Sequence, residues 1–214
     1  RATVKPPTSV LDKLPLLKGH LVTRLTPSLM AMLAASLFAG SSFALTKNEY
    51  KVEKDRIEAA YKSAKAQCDK LSGNAEDVCE KQAKGDEKVA KAELENRYKP
   101  SERNANKARV ARADADYEVA KEKCDDLSGN TKDVCKKDAK AAHVHAVENA
   151  KVVKAATAAG ETRTEKAANV AEARKDAAAE KREADYKAAA ERCEALSGDL
   201  KSKCVDDAKR RFAQ

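Results

Sequence analysis

The stretch Cys68-Asp69-Lys70-Leu71-Ser72-Gly73-Asn74-Ala75-Glu76-Asp77-Val78-Cys79 decides the fold, because it recurs as CDDLSGNTKDVC at 124–135 and as CEALSGDLKSKC at 193–204. These copies use all 6 cysteines of the 214-residue chain, so the cysteines mark an internal repeat. Upstream of each first cysteine stand a tyrosine (Tyr61, Tyr117, Tyr186) and an alanine (Ala64, Ala120, Ala189), and downstream a leucine (Leu71, Leu127, Leu196). Their spacings, three, four and three residues, place Tyr, Ala, Cys and Leu on one stripe of an α-helix. Ser-Gly-Asn or Ser-Gly-Asp then ends that helix. Gly73, Gly129 and Gly198 are expected in the left-handed conformation, with Asn74, Asn130 and Asp199 as N-caps of a second helix. Asp77 and Asp133 follow Asn74 and Asn130 at capping-box spacing, with Asp in place of the preferred Glu; the third copy has Ser202 there and a weaker start.

A hairpin turning at Gly73 sets Cys68 opposite Cys79. A unit repeated with its own two cysteines favours local pairing over the many alternatives: Cys68 with Cys79, Cys124 with Cys135, and Cys193 with Cys204. Zinc, the rival reading, asks for more closely spaced Cys or His pairs. Loops this short stabilise each hairpin by about 2–3 kcal/mol when closed, on the chain-entropy account.

Disulfides persist in oxidising compartments, and the sequence offers an export signal. After Arg24 comes Leu-Thr-Pro-Ser, then the apolar run 29–40 (LMAMLAASLFAG), then Ser42-Phe43-Ala44 with small residues where signal peptidase requires them. Cleavage after Ala44 would start the mature chain at Leu45. The apolar run falls short of the roughly 20 residues of a membrane span. Residues 1–44 therefore read as an N-terminal extension and signal peptide, with the periplasm as destination and no stable membrane span after cleavage. An uncleaved anchor is the alternative.

Beyond residue 44 the chain is mostly Ala, Lys and Glu, good helix formers, with Pro100 as its only proline. Leu, Ile, Val and Phe are too scarce for a conventional core. Agreement among local signals argues against disorder, including Glu-to-Lys pairs at helical spacing such as Glu58 with Lys62 and Glu183 with Lys187. Pro100 and Gly160 interrupt the helices between repeats. The expectation is an all-α chain of three disulfide-stapled helical hairpins, at 45–100, 101–159 and 160–214. The expected helices run roughly 47–71, 75–98, 101–127, 131–158, 161–196 and 200–212. Whether the hairpins are elongated or loosely bundled is open, as is the oligomeric state.

The formal net charge of +8 is spread over interleaved signs rather than gathered into a basic stripe, so nucleic acid is not an expected partner. An envelope protein or an anionic envelope polymer suits the small basic excess better. His143 and His145 stand two apart and so point roughly 200° apart on a helix, which separates them as metal ligands; His145 with Glu148 or Asn149 remains geometrically allowed. The repeat tyrosines read as packing residues. Glycine-rich phosphate loops, nucleophile elbows and His-Glu-x-x-His motifs are absent from the sequence, and so is the Cys-x-x-Cys of thiol-disulfide oxidoreductases. No catalytic residue, metal or cofactor is expected.

The segments EKDRIEAAYKSAKAQCDKLSGNAEDVCEKQAKG, YKPS, YEVAKEKCDDLSGNTKDVC and ADYKAAAERCEALSGDLKSKC resemble a family of small exported Ala/Lys/Glu-rich proteins of Gram-negative bacteria, often labelled TolA-like or cell-envelope biogenesis proteins. The resemblance covers the chain beyond the signal segment. The label itself rests on helical composition; the stapled hairpins and the export signal are what lead to the expectation of a non-enzymatic scaffold, spacer or stress-protective component of the envelope, with a ligand- or metal-binding helical module as the alternative.

Overall fold

A computed structural model of the chain describes residues 45–214. The export signal, its cleavage point and the N-terminal extension lie outside these residues.

Among the described residues there are six α-helices, α1 (Lys47–Cys68), α2 (Asn74–Tyr98), α3 (Glu102–Lys123), α4 (Gly129–Thr157), α5 (Arg163–Cys193) and α6 (Gly198–Phe212), with one 3-10 turn at Cys124–Asp126. The all-α reading and the three stapled hairpins are thus observed, with breaks at Pro100 and Gly160 as expected. Each helix packs chiefly against its neighbours in chain order. The arrangement is therefore a row of antiparallel helices, α1 to α6, with the turns that follow α1, α3 and α5 along one end.

Three helix starts are capped by side chains. Thr46 and Thr162 each form a full capping box, with Glu49 and Glu165 respectively, and the Ser101 hydroxyl accepts from the Asn104 backbone N–H at 3.1 Å. These sequences, Thr-x-x-Glu twice, carried the signal plainly. In both boxes the Thr backbone N–H donates to the Glu carboxylate and holds its pKa below the ordinary value, helped by the Thr hydroxyl.

Alanine dominates the core. Buried positions include Ala83, Ala113, Ala115, Ala139, Ala141, Ala150, Ala177 and Ala188, with Val89, Leu94 and Val119 as the larger apolar contributors. Small side chains let the helices close up, most tightly where Gly85 of α2 meets α3. A Cβ built on Gly85 would lie 2.8 Å from the Cβ of Ala115. Mid-helix glycine costs about 1 kcal/mol relative to alanine, and this contact accounts for its presence.

Polar pairs lace one hairpin to the next. Between α2 and α3 stand Lys81 with Glu122 (3.6 Å) and Arg112 with Glu93 (3.1 Å). Between α4 and α5 stand Arg192 with Asp138 and Lys181 with Asn149, each at 2.6 Å. Within the first hairpin, Tyr50 stacks on Tyr98 with ring centroids 4.5 Å apart and donates to Glu95 at 3.1 Å, which raises the phenol pKa.

Candidate functional site

The repeated turns are where the sequence concentrates its distinctive residues. All three disulfides close locally: Cys68–Cys79, Cys124–Cys135 and Cys193–Cys204, with Cα separations of 5.4, 5.7 and 5.7 Å. Within each pair the first cysteine is fully buried (0–1 % exposed) and the second is half-buried. The bridge thus seats the end of one helix against the start of the next, and three such bridges are consistent with an oxidising, extracytoplasmic location.

Two details of the turns differ from expectation. The first helix of each hairpin ends at or just before its cysteine rather than at the leucine, because the Leu71, Leu127 and Leu196 N–H groups bond back to the Cys68, Cys124 and Cys193 carbonyls (2.8, 3.0 and 3.0 Å) in tight three-residue turns. The four-residue stripe is therefore cut short. Leucine leaves the helix and stays 39–47 % exposed.

The second difference concerns the caps. Gly73, Gly129 and Gly198 do adopt positive φ (61°, 55° and 55°), yet Asn74, Asn130 and Asp199 do not act as N-caps. The second helices begin at Asn74, Gly129 and Gly198, one or two residues earlier than expected, and none of them has a side-chain cap. Their starts carry only first-turn backbone bonds: Gly73 accepts from Glu76 and Asp77, Ser128 from Lys132, and Ser197 from Lys201. Asp77 and Asp133 accordingly complete no capping box. Asn130 is drawn sideways, its Nδ2 donating to the Glu191 carbonyl of α5 at 3.0 Å, so a turn residue ties neighbouring hairpins together.

Charge varies between the turns at matched positions. Asp125, just after its cysteine, receives Lys132 and Lys136 at 2.8 Å each, and their hydrogen bonds lower its pKa to about 2. Glu194 receives Lys201 at 2.6 Å in the same way. In the first copy the corresponding positions are Asp69, Glu76 and Glu80, whose carboxylate oxygens lie within 4.8 Å of one another. Lys65 holds Glu80 at 2.7 Å, which lowers the pKa of Glu80 and raises that of Lys65 through the same hydrogen bond.

The histidines go separate ways. His143 Nε2 meets Asp114 of α3 at 2.6 Å, while His145 Nε2 meets Asp185 of α5 at 2.9 Å. The His143 ring also packs against Tyr117 at 4.8 Å, and the Lys121 and Lys140 ammonium groups lie 5.8 and 5.4 Å from the centre of that tyrosine ring. A surface cavity of about 380 Å³ lies beside this group, lined by Lys81, Lys84, Lys88, Asp114, Tyr117 and His143 among others. The tyrosine of the second repeat therefore packs against a helix partner, as a packing residue should. Glu148, 5 % exposed and bound by Lys151 at 2.6 Å, is a buried acid that the reading of the sequence did not single out as buried. Nothing in its local pattern separates it from the many solvated glutamates around it.

Among the described residues no helix is long and apolar enough to cross a membrane. Compared with protein-family models, curated proteins and solved structures, the chain has no significant match.

Proposed function

We propose that the chain is a non-enzymatic helical scaffold or spacer of the cell envelope, exported to the periplasm and TolA-like in the broad sense of an Ala/Lys/Glu-rich helical element. One observation carries this reading: the same stapled turn is built three times, at 68–79, 124–135 and 193–204, from residues with structural rather than chemical roles. Repetition of a stiffened unit sets length and spacing, which is what a spacer contributes. The disulfides support a destination outside the cytosol, and the apolar run ending in Ser42-Phe43-Ala44 supports the export route. A basic excess alongside interleaved charge suits contact with an envelope protein or an anionic envelope polymer.

Fractionation of cells expressing the full chain tests this directly. The expected product is a periplasmic protein beginning at Leu45 with three intact disulfides, which captures an envelope component after cross-linking. Recovery of a reduced, cytosolic protein with residues 1–44 still attached would overturn it.

A further inference from the structure

The two sulfurs of each staple are not equivalent. Cys68, Cys124 and Cys193, the first of each pair, are 0 %, 0 % and 1 % exposed, whereas Cys79, Cys135 and Cys204 are each partly open to solvent. The asymmetry recurs in all three copies, so it belongs to the repeat. A second regularity accompanies it. Sγ of each first cysteine lies against the backbone carbonyl four residues earlier, Ala64 at 3.3 Å, Ala120 at 3.2 Å and Ala189 at 3.5 Å, and these are the alanines that the repeat sets before the cysteine. A bridged sulfur has no hydrogen to donate. The carbonyl is thus an acceptor that only a reduced thiol uses, so the buried sulfur, once reduced, is satisfied where it stands.

Thiol–disulfide exchange begins with attack of a thiolate on one of the two sulfurs, and access helps to select which. Leaving-group preference runs the other way here: attack at Cys79 expels Cys68, whose negative charge would form buried at the C-terminal end of α1. That effect changes rates only gradually with thiol acidity, whereas a sulfur with no exposure is out of reach until the hairpin opens. Access therefore decides. At the third staple Cys193 and Cys204 both border a surface cavity of about 560 Å³ that Ala208, Arg211 and Phe212 also line, so the contrast should be smallest there.

We propose that Cys79, Cys135 and Cys204 are the exchange sites of the staples, where a small external thiol is joined to the folded protein as a mixed disulfide. At the first staple the incoming thiolate sulfur bonds to Cys79 Sγ, the Cys68–Cys79 bond breaks, and its electron pair stays on Cys68 Sγ. Cys68 takes from water the proton that the incoming thiol gave up on ionising, and the new thiol donates to the Ala64 carbonyl. The incoming sulfur is oxidised to the disulfide level as Cys68 is reduced, so the exchange balances without a further reagent. Reoxidation retraces the path through the same mixed disulfide. These sites do not depend on the scaffold reading.

The test treats the purified oxidised full chain briefly with mercaptoethanol, stops exchange with acid, blocks free thiols with N-ethylmaleimide in denaturant, and maps the peptides. Expected is mercaptoethanol on Cys79, Cys135 and Cys204 and maleimide on Cys68, Cys124 and Cys193, with a preference of about 100-fold at the first two staples. In denaturant the preference should vanish. An even distribution in the native protein, or adducts chiefly on the first cysteines, overturns the inference. So does a preference that survives in denaturant, since local sequence and not burial would then set it. A second measurement uses Cys68→Ser and Cys79→Ser, each of which leaves one free thiol at the first staple with the other two bridges closed. Dithiodipyridine should react with Cys79 about 100-fold faster than with Cys68, and equal rates in variants of parental helicity are fatal. If either variant loses helicity, the map of the parent protein decides.

Discussion

His143 and His145 stand two residues apart on α4 and are bound to opposite neighbours, His143 to Asp114 of α3 and His145 to Asp185 of α5. Helical geometry requires this, since a two-residue step turns roughly 200°. Each ring is a strut to a different helix, so His143→Ala and His145→Ala should destabilise additively, with coupling below about 0.5 kcal/mol in a double-mutant cycle. His143 should cost more, about 1 kcal/mol, because its side chain is 15 % exposed against 41 % for His145 and it also packs on Tyr117. Strong coupling, or loss of a measured zinc affinity in either variant, would show that the two act on one ligand.

The staples should act locally. Replacing Cys124 and Cys135 by serine is expected to lower stability by about 2–3 kcal/mol, and because each helix packs chiefly on its chain neighbours, hydrogen exchange should rise first in α3 and α4. Peptide mapping of the unreduced protein should return only the three local bridges. Reduction should lower the melting temperature; identical melts with and without reductant would mean that helix packing alone holds the row together.

What the sequence disclosed and what it concealed divide along physical lines. Gly73, Pro100, Gly160 and the cysteine spacing act through local backbone geometry, so the turns, the breaks and the bridges were legible. The order of hairpins in a row was not, because it depends on pairs such as Arg192 with Asp138, 54 residues apart. In a chain this rich in Lys and Glu every charge has many eligible partners, and none is marked in advance. Asn130 shows the same limit at one residue: the helix starts at Gly129, so Asn130 lies within its first turn rather than at the cap, and its Nδ2 donates to the Glu191 carbonyl of the next hairpin. Gly85 was opaque for a related reason, since its use lies in Ala115 on another helix.

Glycine at two kinds of position should respond differently. Gly73→Val places a β-branched residue at φ 61°, ψ −148°, a region essentially reserved for glycine, and should impair the first hairpin although nothing lies within 4 Å of the added Cβ. Gly85→Ala gains helix propensity but drives its Cβ into Ala115. The overpacking cost, about 1–3 kcal/mol, should exceed the roughly 1 kcal/mol gained. A Gly85→Ala variant that melts higher than the parent would show that α2 and α3 can part without penalty.

Asp125 offers a site-specific pH test. Lys132 and Lys136 hold its folded-state pKa down to about 2 from 3.8, chiefly through their hydrogen bonds. A depressed carboxyl pKa stabilises the fold above the unfolded value and loses that contribution as pH falls through the folded one, so the effect is present above about pH 4 and fades toward pH 2. Because the group is solvent-exposed, the consequence for overall stability should be small. The titration itself should be clear. Carbonyl-carbon NMR of Asp125 should show a midpoint near 2 in the parent and a return toward 3.8 in the Lys132→Ala, Lys136→Ala double variant. A midpoint unmoved by removing both lysines would show that they do not hold the carboxylate in solution, and that the turn owes its shape to the bridge and backbone alone.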